Sequence, residues 1–462
     1  MLNPGPTVAE ILTSHESGSG APTTTAARVA DAIAARGDDG TWITPVPRER
    51  LLADAAEIER RPGARTLPLY GVPFGVKDSI DVAGWPTTLA CPDYAYTATT
   101  TAPAVQRLLD AGALFVGKTN LDQFATGLNG TRTPYTVPRS VFGGDLISGG
   151  SSSGSALAVA LGQVPFCVAT DTAGSGRVPA ALNGIVGWKP SRGLISTVGL
   201  VPACESLDCL TLMATRIEDL DRVFDVIAAP DLDDPWSRAR GPRHAGATIR
   251  VGLPPEAELD FFGDEVLRAA HLGVRDRIGR LGFEPTPTTL RPFLDAGELL
   301  YQGPWVAERL VVFGDFLAER PDSVLPVIRE ILTGGQRFDA VDVFRAQHTL
   351  QRLRAVVART WEHVDVLVVP TIGTTFTVDQ VLADPIATNT ILGHYTHFGN
   401  LLDLTAVAVP MGLAGDGRPV SAMVFGPALA DDTVLAAAAR LLDEPRPHGA
   451  HDEIRLAQKE RR

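Results

Sequence analysis

Three short stretches of this chain hold residues that could act together on an amide bond. Lys77 lies in GVPFGVKDSIDVAG, several serines crowd SGGSSSGSA at 148–156, and a further serine, Ser175, follows Asp-Thr-Ala-Gly in DTAGSG at 171–176. A hydroxyl attacks an amide carbonyl only when its proton is removed, and a neutral lysine can remove it. The set is that of a hydrolase activating a serine without histidine, a Ser-Lys variant of triad logic. Lys77 follows the apolar residues 71–76 on what reads as a strand end, where burial disfavours an ammonium. A surface lysine paired with Asp78 or another carboxylate fits the same pattern, and the strand position alone does not separate the two. The loop at 149–154 has the small residues that an unusual backbone beside a helix start requires. A flexible serine linker is the alternative, although linkers do not usually run straight into ALAVALG. In the loop 171–176, successive amides could face one oxyanion, with Gly174 and Gly176 allowing close approach. An ordinary turn with a capping serine remains open there.

Two other motifs compete. GALFVGKT at 112–119 fits GxxxxGK[ST], but its variable residues form an apolar strand whose amides belong to a sheet and not to a phosphate. GSSSG at 150–154 fits GxSxG, which would make Ser152 a nucleophile with His394, His397 or His448 as partner. That elbow needs a strand directly before it, and FGGDLISGG is a poor one.

The elements that must position these residues are legible in outline. Residues 1–60 read as a helical region, with apolar positions three and four apart in TVAEILTSH, AARVADAIAAR and RERLLADAAEIERR. From about residue 67, strand, loop and helix alternate: APAVQRLLDAG helix, ALFVGK strand, SALAVALG helix, FCVAT strand. This is the signature of an α/β layered fold. The Pro- and Asp-rich segment 229–247 reads as a surface connection. After it come a strand in TIRVGLP, helices near 264–281, 291–319 and 341–361, and late strands in VDVLVVPT, TAVAVPM and PVSAMVFGP. The late strands read as additions to the same sheet. The expected organisation is a helical region 1–60, a main domain 61–445 and a charged tail 446–462.

Composition narrows the function classes. With 462 residues, 45% hydrophobic and 21% charged, the chain can fill a large core. A net charge of −13 argues against nucleic acid or an acidic membrane as partner, and an anionic substrate would need a local cation. The polar, Gly/Pro-rich first twenty residues do not read as a secretion signal, and no apolar run reaches membrane-span length. Cys91, Cys167, Cys204 and Cys209 have no metal or disulfide spacing and read as buried hydrophobes in a reduced compartment. Cytoplasm is the expectation.

GVPFGVKDSIDVAG, SGGSSSGSA and DTAGSGRVPAALNGIVGWKP together resemble the core of the amidase signature family. The resemblance runs from about residue 42 to about residue 440. It implies a mixed β-sheet sandwiched between helices, with Lys77 as general base, Ser151 as bridging serine on a cis peptide, and Ser175 as nucleophile. The amides of Thr172, Ala173, Gly174 and Ser175 would hold the oxyanion, and no metal or organic cofactor is called for.

KTNLDQFATGLNGTRTPY, the VPACESLDCLTLMA run and ADPIATNTILGHYTHFGNLLDLTAVAVP resemble the allophanate hydrolase branch of that family. The branch resemblance implies cleavage of a small anionic urea derivative, with Tyr301 and Arg309 contacting it. Their separation of eight is about two helical turns, which places both side chains near one face. Thr136 stands where the branch pattern usually has glycine, and a further carboxy-terminal domain common among relatives is absent from this sequence. The expected partners are a small amide or urea-derived molecule and a second copy of the chain. The alternatives are an amidase of the same mechanism acting on another small amide, urea derivative or carbamate, and an inactive assembly subunit.

Overall fold

Alternating strands and helices close into one eleven-stranded sheet in the computed structural model, which describes residues 5–241 and 249–443. The strands of the chain are β1 (Trp42–Pro45), β2 (Pro73–Lys77), β3 (Pro86–Thr87), β4 (Tyr96–Thr97), β5 (Leu114–Thr119), β6 (Phe166–Asp171) and β7 (Val186–Lys189). They continue as β8 (Cys209–Ala214), β9 (Arg250–Leu253), β10 (Glu284–Pro287), β11 (Val366–Pro370), β12 (Thr405–Leu413) and β13 (Pro419–Gly426). The large sheet runs β1-β5-β2-β6-β8-β7-β12-β13-β11-β9-β10, and β3 pairs with β4 in a separate ribbon. The sheet is mixed and flanked by helices, and the late strands join it as expected. The expected tail 446–462 and His448 lie outside the described residues.

The two strands that matter most for chemistry are parallel neighbours. β2 pairs with both β5 and β6 in parallel, in the register Phe74↔Phe166, Gly75↔Cys167 and Val76↔Val168 with β6. Every residue of β2, β5 and β6 is buried. This is why these segments read as continuous apolar runs and not as alternating ones. Because β2 and β6 run the same way, Lys77 and Asp171 end them at the same edge of the sheet, where open α/β sheets place their ligands.

The helices follow local rules. Val8–Ser17 starts on a capping box in which Thr7 and Glu10 exchange hydrogen bonds, and it stops at Gly18 in the left-handed region. Ser153–Ala160 is buried all round, a core helix without a polar face. The stretch 291–319 is not the single helix its pattern suggests. It forms Arg291–Glu298 and Trp305–Glu319, the second beginning directly after Pro304. A proline ring blocks helix on its amino-terminal side, so the break falls there.

Candidate active site

Lys77 closes β2 fully buried. Its Nζ donates to Ser151 Oγ at 2.8 Å and to Thr170 Oγ1 at 2.7 Å. Burial pushes the ammonium down to about 7; Asp122, Asp208 and Asp171 pull the other way, and Arg309 adds to the depression. Burial therefore favours the neutral amine, the form a general base requires. The unfolded chain would keep that proton up to about 10.5, so this group makes stability rise with pH between about 7 and 10.5. The surface pairing with Asp78 is not what forms. Asp78 is buried and pairs with Lys118 at 3.0 Å. The same pair disposes of the phosphate-loop reading, since residues 114–119 are β5 and Lys118 is committed inside the protein.

Ser151 follows a cis Gly150–Ser151 peptide in the loop before the helix Ser153–Ala160. Gly150 is obligatory, because a Cβ there would collide with Asp122 Oδ2. Ser152 Oγ donates to Thr170 O at 3.1 Å, and its amide donates to Ser175 O at 3.2 Å, stitching the two serine loops together. No strand precedes Ser152, and neither His394 nor His397 bonds to it. Burial pushes both imidazoles down, His397 to about 3. Among the described residues, the GxSxG reading therefore lacks both its elbow and a histidine base.

The second loop is folded around Asp171. Its carboxylate accepts from the amides of Gly174 (2.7 Å), Gly176 (3.1 Å) and Arg177 (3.3 Å), and from Arg177 Nε and Nη2, both at 2.8 Å. Burial alone would raise the Asp171 carboxyl, but the Arg177 guanidinium and the donated amides hold it down to about 2. This bears on the expected oxyanion set. The Gly174 N–H is committed to Asp171, which narrows the candidates to the amides of Thr172, Ala173 and Ser175. Gly174 has φ 125°, and a Cβ there would collide with Thr396 Oγ1. From across the site, Thr396 Oγ1 donates to Ala173 O at 2.7 Å and Asn400 Nδ2 to Asp171 O at 2.7 Å. Asp171→Asn should strand the buried Arg177 charge and lower unfolding stability by about 3–5 kcal/mol, as urea denaturation would measure.

Ser175 is 2% exposed at the start of the helix Arg177–Leu182. Among the described residues its hydroxyl makes no hydrogen bond to Ser151. The Lys77–Ser151 half of the expected relay is in contact, and the Ser151–Ser175 half is open. Catalytic hydrogen bonds often tighten only when substrate is present.

Arg309 lies on the helix Trp305–Glu319, 2% exposed, with Nη1 donating to Thr126 Oγ1 at 2.8 Å. Tyr301 is not on that helix. It sits in the turn before Pro304, its ring 5.1 Å from that of His397. The two-turn spacing argument therefore fails, although Tyr301 and Asp208 act electrostatically on Arg309.

Thr170, Asp122 and Asp208 are site residues that sequence reasoning does not single out. Asp208 accepts from Thr172 Oγ1 and from the amides of Ala203 (2.7 Å) and Cys204 (3.1 Å). Burial raises its carboxyl to about 6. It also lines a cavity of about 280 Å³ together with Leu200, Pro202, Glu205 and Trp236. A carboxylate directly before the apolar run 209–214 is the signal that could have marked it. All four cysteines are free and buried. Among the described residues there is no group of three His, Cys, Asp or Glu that could hold a metal. No helix there is long and apolar enough to cross a membrane.

Comparison with known proteins adds to this geometry. The family model for Amidase matches residues 28–435. The chain is 40% identical to the urea amidolyase of Saccharomyces cerevisiae over 89% of its own length and 23% of that protein. It therefore spans less than a quarter of such relatives. It is 33% identical to one subunit of the glutamyl-tRNA(Gln) amidotransferase of Symbiobacterium thermophilum, over 86% of this chain and 88% of that one. Among solved structures, the selenomethionine-substituted allophanate hydrolase of Kluyveromyces lactis superposes with a TM-score of 0.91 at 37% identity. That match covers 96% of this chain and 74% of the other. The chain belongs to the amidase family.

Proposed function

We propose that the chain hydrolyses the terminal carboxamide of allophanate through Ser175. The observation that carries this reading is the fully buried Lys77–Ser151 contact, set beside the Ser175 loop and within the field of a buried arginine. The likeness to urea amidolyase and to allophanate hydrolase supports the choice of substrate.

In this reading, substrate binding brings the Ser151 and Ser175 hydroxyls together. Neutral Lys77 takes the Ser151 proton as Ser151 takes that of Ser175, and Ser175 Oγ attacks the carboxamide carbon. The amides of Thr172, Ala173 and Ser175 face the oxyanion. The proton returns through Ser151 to the leaving nitrogen, the C–N bond breaks and ammonia departs. Water enters by the same relay, cleaves the Ser175 ester and releases N-carboxycarbamate, which then loses carbon dioxide. Arg309 binds the substrate carboxylate, supplying the cation that a chain of net charge −13 does not offer globally. Tyr301 donates one further hydrogen bond. The reading carries with it the expected cytoplasmic setting and homodimer.

The test is ammonia release from allophanate, biuret, malonamate and simple carbamates, in the wild type and in Arg309→Ala. Allophanate should be preferred by the wild type. Arg309→Ala should lose about 2–5 kcal/mol in kcat/KM on the anionic substrates and less on neutral ones. Tyr301→Phe should cost about 1 kcal/mol, one hydroxyl hydrogen bond. An unchanged anionic-to-neutral ratio in Arg309→Ala would take the carboxylate role from Arg309 and leave an amidase of another substrate.

A further inference from the structure

Asp122 brackets the Gly150–Ser151 peptide with both its main chain and its side chain. Its N–H donates to Ser151 O at 3.0 Å. Its carboxylate accepts from the amides of Arg132 (3.0 Å) and Gly130 (3.1 Å), which close the loop 127–132 around it. Gly150 lies against Oδ2 with no room for a methyl, and its own amide donates to Leu128 O in that same loop at 2.8 Å. Asp122 is fully buried. Two charges face it. One is Arg132, whose guanidinium is anchored on Thr126 O (3.0 Å) and Pro385 O (2.6 Å); the other is Lys77.

We propose that Asp122 is the positioning residue of the relay, holding the Gly150–Ser151 peptide so that Ser151 meets Lys77. The inference rests on the reading of Lys77 and Ser151 as relay partners. Lys77 is faced by Asp122 after β5, Asp171 at the end of β6, Asp208 before β8 and Arg309 from its helix. Of the three carboxylates, Asp122 contributes most to keeping the ammonium charged, and it alone also touches the Ser151 peptide. Geometry and charge therefore reach the relay through one residue, by its main-chain N–H and its carboxylate. Removing the charge should let Lys77 lose its proton at lower pH, because the anion that favoured the protonated form is gone.

Asp122→Asn removes the charge and turns a side-chain N–H towards one of the two backbone N–H groups that the carboxylate accepts from. The expected result is a fall in kcat of about tenfold or more with KM nearly unchanged. The acid limb of the pH–rate profile should move down by about half a unit or more. A purely structural role would lower the amount of active enzyme without moving that limb. An acid limb at the wild-type pH in folded Asp122→Asn overturns the proposal. If that variant does not fold, Gly150→Ala carries the test, since its methyl must displace the carboxylate from the relay. Lower kcat with a shifted limb supports the proposal, and wild-type kcat and pH profile overturn it. Failure of the relay itself is distinguishable, because it would show as activity retained in Ser175→Ala or in Lys77→Met.

Discussion

Ser175→Ala should reduce ammonia release from allophanate by at least ~10⁴-fold while leaving the fold intact. The hydroxyl holds no hydrogen bond to Ser151, so its loss leaves no donor of the relay unpaired. The Ser175 carbonyl, which accepts from the Ser152 amide, is untouched. Denaturant unfolding should agree with wild type within about 1 kcal/mol. Ser152→Ala is the matched control. Ser152 Oγ is spent on Thr170 O, and its loss should cost far less activity. A reversal of the two, with Ser152→Ala inactive and Ser175→Ala active, would return the site to the GxSxG reading.

The second large effect is at Lys77. Lys77→Arg keeps a positive charge but installs a guanidinium that stays protonated at any working pH, so kcat should fall by about 10³-fold or more. Lys77→Met fills much of the same volume with no charge and no base. It should be equally inactive, with stability within about 1 kcal/mol of wild type, because two hydrogen bonds are lost while a costly buried amine is removed. The pair of variants separates chemistry from scaffolding. Activity in Lys77→Arg would make the lysine a fixed cation, and a grossly destabilised Lys77→Met would make it a structural residue.

The sequence is most readable where one segment carries its own signal. The strands β2, β5 and β6 show as apolar runs because both of their faces are buried, and the proposed serines Ser151 and Ser175 show as serines next to glycine. Whatever depends on distant segments meeting is hidden. Nothing local to Lys77 distinguishes Asp78 from Ser151 as its partner; the decision lies in β2 and β6 being parallel neighbours and in Asp78 finding Lys118. The Gly174 amide looks free for an oxyanion because Asp171, three residues earlier, gives no sign that its carboxylate folds back over the loop. The spacing of Tyr301 and Arg309 suggests one helix, whereas Gly303-Pro304 between them signals a break. Asp122 and Asp208 escape notice because a single aspartate in a polar segment usually faces water. Here each is buried and satisfied by backbone amides from its own neighbourhood.

The measurement that tests the central claim most directly is the pH dependence of kcat/KM for ammonia release from allophanate. A lysine acting as the neutral base predicts a rate that is half-maximal near pH 7, levels off about a unit above it and approaches a tenfold fall per unit well below it, following a single ionisation near 7. A rate that stays flat or rises as the pH drops below 7 would contradict Lys77 as the base, and with it the Ser151–Ser175 relay.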